Sequence, residues 1–280
     1  MNPANKRGLD RKAKMDHTIA NSSNTQHSVQ QTVSEFANAK GGEMIITFEP
    51  KKVVVFLGTI VICLIAANMV GIISMYYFGS HRIALFNLDR EGNIPTLYSS
   101  VTLLLCAGLL AVIATARKRQ KKREYIYWLG LAIIFLFLAV DDGAAIHENI
   151  IRPLRNALNT SGVLYFAWVI PYGIFVIAIG IIYLRFLFSL PVRFRNLIIF
   201  AGILFVGGAL GFELIGGKWT ELYGQENVAY ALITTCEQTL QMAGILVFIY
   251  ALMSYISSNL NALFFHIGSL DANTFPKTES

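Results

Sequence analysis

Apolar positions along this chain come in long, unbroken blocks rather than in alternation. Six of them, at about 53–78, 96–116, 125–146, 162–188, 196–216 and 228–256, are near or above the ~20 residues that cross the hydrocarbon core as a helix. An outer-membrane barrel would show shorter segments with a period of two, so it is excluded. The pattern predicts an all-α fold, a polytopic membrane bundle of six transmembrane helices within residues 45–260. Residues 1–44 are rich in Asn, Ser, Thr, Gln, Lys and Ala. Such a segment buries too little apolar surface to offset its ordering entropy, and it is expected to be a disordered tail. Residues 261–280 form a C-terminal tail. The first apolar block is too long for the h-region of a cleaved signal peptide and reads as a span.

Composition agrees with the pattern. Of the 280 residues, 55% are hydrophobic and 14% charged, where a soluble domain carries about a quarter charged residues. The net charge of +6 does not indicate nucleic acid, because six of the 23 basic residues lie in the short stretch Arg117–Arg123 between two apolar blocks. There they act as a topology signal. Eleven Lys and Arg flank the spans on that side: Lys51, Lys52, those six, Arg185, Arg193 and Arg195. Five lie on the other: Arg82, Arg90, Arg152, Arg155 and Lys218. Both termini are therefore expected in the cytoplasm, with the chain in the inner (plasma) membrane of a cell. Cys63, Cys106 and Cys236 fall inside apolar blocks and read as small core residues rather than a disulfide or metal framework. Tyr76, Tyr77, Tyr98, Tyr125, Tyr127, Trp128, Trp219, Tyr223, Tyr230 and Tyr255 fall near span ends, as interfacial anchors do.

Ionisable residues inside these blocks carry the functional signal, since an Asp at a span centre costs about 2.5–3.5 kcal/mol on insertion scales. Asp141 and Asp142 end the third block, with His147 and Glu148 just beyond; Glu213 lies near the end of the fifth and Glu237 well inside the sixth. With the predicted topology all of them belong to the extracytoplasmic half, and the rise per residue brings them to similar depths. On one regular helix Asp141 and Glu148 share a stripe while Asp142 and His147 point elsewhere. The weak run Gly143-Ala144-Ala145 is where a kink would return His147 toward the carboxylates. Thr234, Glu237, Gln238 and Gln241 form a polar strip at helical spacing. Gly207 and Gly211 form a GxxxG pattern one turn before Glu213, expected to bring that helix close to a neighbour.

The loop between the first two blocks contains Asp89, Glu91 and Asn93, followed by Pro95 and Thr96 at a helix start. Asn93 or Thr96 is the expected cap, and Asp89, Glu91 and Asn93 are placed to fold over the carboxylate layer as a lid. The stretches NLDREGNIPTLYSS, DDGAAIHE and CEQTLQMAG resemble three blocks of uncharacterised bacterial multipass membrane proteins. The resemblance covers residues 53–256 and implies that the three blocks act as one unit. It implies no activity. Where those proteins often have Asp-Glu, this chain has Asp141-Asp142.

Three functions compete. The first is a metal-dependent membrane enzyme acting on a lipid or envelope substrate. In it Asp141, His147, Glu148, Glu213 and Glu237 bind Zn, Fe or Mn, with Asp142, Asp89, Glu91, Asn93, Thr234, Gln238 and Gln241 in support. Neither HExxH nor ExxH is present to fix the metal by motif. The second is a proton- or cation-coupled transporter using the same groups, with Asn68 on its path. The third is a structural or assembly protein whose carboxyl groups are neutral and hydrogen-bonded.

Overall fold

The computed structural model describes residues 49–79 and 84–260. The tails expected at 1–44 and 261–280, and Arg82, lie outside the described residues. Among the described residues there is no strand, and six helical segments are long and apolar enough to span a bilayer. They are α1 (Pro50–Phe78), α2 (Ile94–Arg119), α3 (Tyr125–Ala144), α6 (Val169–Ser189), the composite of α7 (Val192–Val206) and α8 (Glu213–Tyr223), and α9 (Val228–Asn259). Two short helices, α4 (Ile146–Asn149) and α5 (Ile151–Leu158), connect α3 to α6. The chain is a multipass integral membrane protein.

Local sequence sets the helix ends. Pro50 and Pro95 occupy first-turn positions of α1 and α2, where a missing N–H costs nothing. Asn93 caps α2 by accepting the Thr96 N–H at 3.1 Å. Gly79 takes the left-handed conformation that closes α1. α3 ends where Ala145 adopts a positive φ of 54°, and the chain then turns into α4. The fourth span begins at Val169, later than the expected 162, because residues 162–164 form a separate 3₁₀ turn.

α2 and α3 run antiparallel, as do α3 and α6, as paired contacts show. Ser100 meets Asp142 and Arg117 meets Glu124 between α2 and α3. Tyr172 meets Asp141 and Tyr183 meets Tyr127 between α6 and α3. The bundle therefore has a basic end, carrying residues 117–124, and an acidic end, carrying the loops around residues 87–93 and 145–168. α9 is the most enclosed helix, with buried side chains from Tyr230 to Tyr255. On α6 only Val169 and Phe186 are buried, so most of that helix faces lipid.

The close approach of the fifth and sixth spans differs from the expected pattern. A Cβ on Gly207 or Gly211 would meet nothing within 4 Å. The contact is made one residue over and from both sides. A Cβ on Gly208 would lie 2.8 Å from the Glu237 carbonyl, and one on Gly244 2.7 Å from the Phe205 N. A π-helical turn over Gly207–Phe212 shifts the register between α7 and α8, which is why an ideal-helix reading of GxxxG misses the contact face. Aromatic anchoring also needs correction. Trp128, Tyr230 and Tyr255 are buried rather than interfacial. Trp128 packs against Phe186 and Tyr255, and the Tyr255 hydroxyl accepts from Arg117 at 2.5 Å. Of the cysteines, Cys106 is buried while Cys63 and Cys236 are exposed on span surfaces, so only the first is a core residue.

Candidate functional site

Two acidic clusters form at the acidic end, and Trp168 joins them. The first is built around the break after α3. Because Ala145 reverses the backbone, the His147 N–H donates to Asp141 Oδ1 at 3.0 Å and the imidazole folds back over the same carboxylate. His147 Nδ1 lies 3.2 Å from Asp141 Oδ2, and Nε2 lies 3.2 Å from Glu91 Oε1. The imidazole thus sits between two carboxylates. Tyr172 donates its O–H to Asp141 Oδ1 at 2.8 Å, and Ser100 donates to Asp142 Oδ2 at 2.7 Å. His147 Nδ1 and Glu91 Oε2 are buried yet have no aligned hydrogen-bond partner. Their contacts are charge contacts with unused hydrogen-bonding capacity.

The second cluster joins the fifth and sixth spans, drawn together by Gly208. The Glu213 and Glu237 carboxyl groups lie close enough to act on each other. Gln241 donates to Glu237 Oε1 at 3.1 Å and Trp168 Nε1–H donates to Glu213 Oε1 at 2.8 Å. The Trp168 ring lies 4.9 Å from that of His147 and 5.1 Å from that of Tyr172. One side chain therefore touches both clusters.

Burial controls the charge of the two groups that lie outside the spans. Burial is the largest influence on Glu91 and pushes it up to about 7; His147 opposes this, and Glu148, Asp142 and Asp141 add to it. For His147, burial disfavours the imidazolium, but the close contact with Asp141 and the charges of Glu91, Asp141 and Glu148 outweigh it and hold the group above its usual value. A carboxyl group that titrates near neutrality beside an imidazole suits proton transfer at physiological pH.

Below the clusters lies a cavity of about 320 Å³. Its polar end is lined by Glu91, Asp141, Asp142, His147, Glu237 and Gln241, with Trp168 and Tyr172 beside them. Its remainder is apolar, with Leu131, Phe135, Val176, Ile179, Ile198 and Phe248 among its walls.

Several expected residues play other parts. Glu148 is exposed, since the turn at Ala145 takes it off the Asp141 stripe. Asn93 spends its side chain on the cap and on the Ala84, Asn87 and Arg90 carbonyls, so it ties the loop rather than covering the layer. The Thr234 hydroxyl donates to the Ala231 carbonyl within its own helix, while Gln238 lines the cavity. Asp89 is half-buried and close enough to Glu237 to act on it electrostatically. Asn68 donates to Thr235 Oγ1 at 2.9 Å and accepts the Leu88 N–H at 3.2 Å. It anchors the loop that carries Glu91. Among the described residues no group of three or more His, Cys, Asp or Glu is arranged to hold a metal ion. Trp168, Tyr172 and Ser100 escaped the sequence reading, although the i, i+4 pair Trp168/Tyr172 at a span start was a visible signal.

The chain belongs to the family described as a domain of unknown function, DUF8692, which matches residues 53–256. No curated protein and no solved structure matches it.

Proposed function

We propose that this protein is a membrane-embedded enzyme in which His147, set between Asp141 and Glu91, transfers protons to and from a substrate that enters from the bilayer. The observation that carries this reading is the continuity of the His147 cluster with a cavity that is polar at one end and apolar below. Asp141 Oδ2 stands 3.2 Å from the imidazole Nδ1, and Asp141 is itself held by Tyr172. Glu91 supplies a second proton site 3.2 Å from the other ring nitrogen. The reacting group of the substrate sits under this roof, in the extracytoplasmic half by the distribution of basic residues. Transport is the weaker reading. The cavity walls toward the basic end are Leu131, Ile179, Ile198 and Phe248, and Trp128, Phe186 and Tyr255 pack together beyond them. An ion moving that way would leave the carboxylates for these apolar walls, which cannot replace its water.

The test is incubation of the reconstituted protein with bilayers of total membrane lipid, with composition read by mass spectrometry. Conversion that is lost in His147→Gln, with unchanged thermal stability, is the expected result. Conversion that persists in that variant sinks the proposal. Metal analysis of the same samples covers the cation expectation. Stoichiometric Zn, Fe or Mn, lost in Asp141→Asn and Glu237→Gln, would make a metal-bound water the acting group instead of His147.

A further inference from the structure

Cavity shape and lining chemistry together identify the kind of molecule that fits. Along α3 the lining runs from Asp142 to Leu131, and along α9 from Glu237 to Phe248. Each stretch covers twelve residues, whose eleven steps span about 16 Å at the helical rise, which is close to the depth of one leaflet of a ~30 Å hydrocarbon core. The polar groups are confined to one end of that length. At 320 Å³ the cavity is at the small end of the range for ligand sites. Its length and volume suit one extended chain.

The cavity also reaches the bilayer sideways. α3 and α6 touch at their ends. Tyr127 and Trp128 meet Phe186 near the basic end, and Asp141 meets Tyr172 near the acidic end. Between these contacts Phe135 and Leu138 on one helix, and Phe175 and Ile179 on the other, line the cavity. Phe175 is at once a wall of the cavity and 40% exposed. Gly202, on α7, is likewise both a lining residue and exposed. An opening therefore lies alongside α6, on which only Val169 and Phe186 are buried.

Charge at the roof selects the head group. Four carboxyl groups line it, from Glu91, Asp141, Asp142 and Glu237, and no Lys or Arg is in the lining. The one basic group, His147, is already placed between two carboxylates. A phosphate or fatty-acid head would face like charge with no free cation to receive it. An amine brings up to three N–H donors to a layer rich in acceptors, among them the buried and unpartnered Glu91 Oε2. Trp168 and Tyr172 add aromatic faces beside the same position, and such faces attract a cation.

We infer that the cavity binds a single-chain cationic amphiphile, a long-chain primary amine or ammonium, drawn from the surrounding leaflet alongside α6 with its head under Asp141, Asp142 and Glu91. This deepens the proton-transfer reading by naming the substrate class, but binding is measurable without turnover.

The experiment uses the full chain in phosphatidylcholine nanodiscs, with Trp128→Phe and Trp219→Phe so that Trp168 reports alone. Tetradecylamine, tetradecanol and tetradecanoic acid are titrated separately. The amine should saturate the Trp168 signal at a concentration at least about tenfold below the other two. Asp142→Asn should weaken the amine by about tenfold, and Leu138→Phe, which narrows the chain region without adding an indole, should weaken it by at least about tenfold. Equal binding of all three amphiphiles would overturn the head-group assignment. An amine affinity unchanged in Leu138→Phe would overturn the cavity assignment. His147→Gln separates the two proposals: amine binding that persists while lipid conversion is lost supports both, and amine binding that persists with conversion unchanged supports this inference alone.

Discussion

Replacing Gly244 by Ala tests the backbone contact on which the second cluster depends. The added Cβ would stand 2.7 Å from the Phe205 N and 2.9 Å from both the Ala201 carbonyl oxygen and Phe205 Cβ. Ordinary contact begins at 3.4 Å, so α7 and α9 must separate by up to about 0.7 Å. The obstructing atoms are largely backbone and cannot swing aside. Overpacking of this kind costs about 1–3 kcal/mol. For a domain of this size each kcal/mol lowers the melting midpoint by roughly 2–4 °C, so a fall of about 4–8 °C is expected for a cost near 2 kcal/mol. Thermal unfolding of the detergent-solubilised protein, followed by circular dichroism, measures it. Gly208→Ala, facing the Glu237 carbonyl at 2.8 Å, should behave alike and should also disturb the Glu213–Glu237 pair. The controls are Gly207→Ala and Gly211→Ala, where a Cβ meets nothing within 4 Å. These should be neutral or slightly stabilising, since Ala is the better helix former. A midpoint unchanged in Gly244→Ala, or lowered equally in Gly211→Ala, would refute the reasoning and restore the GxxxG face as the contact.

Stability should fall as pH rises across neutrality. Glu91 holds its proton more tightly in the fold, so its contribution is complete below its usual 4.5 and is lost as pH passes about 7. His147, also raised, contributes fully below its usual 6.5 and loses that contribution above its folded value. Thermal midpoints measured from pH 5 to 8 should therefore drop less in Glu91→Gln than in the parent. In the same variant, nuclear magnetic resonance should find the His147 titration lowered, because a neighbouring anion is gone. Asn68→Ala removes the acceptor of the buried Leu88 N–H. It should cost about 1–3 kcal/mol and speed hydrogen exchange at Leu88 while leaving α3 unchanged. Arg117→Ala removes the Tyr255 hydrogen bond and the 3.1 Å contact with Glu124 from a side chain only 13% exposed. A loss of about 1–3 kcal/mol in a denaturation titration is expected, against near zero for Lys121→Ala on the exposed turn.

The sequence by itself determined the number of spans and their approximate limits. Crossing a hydrocarbon layer demands about twenty apolar residues that satisfy their own backbone hydrogen bonds, and that demand is local. It also marked Asp141, His147, Glu213 and Glu237 as groups whose burial needs a reason, because desolvation cost depends on residue type and depth alone. Partnership was decided only by the tertiary structure. One left-handed residue, Ala145, turns His147 onto Asp141 and sends Glu148 outward. One π-helical turn moves the contact from Gly207 and Gly211 to Gly208. Trp168, from a span with few buried residues, links two clusters whose members lie far apart in the chain. Each of these follows from small backbone departures from the ideal helix. Periodicity assumes such departures away, and packing against a neighbour supplies the energy that fixes them.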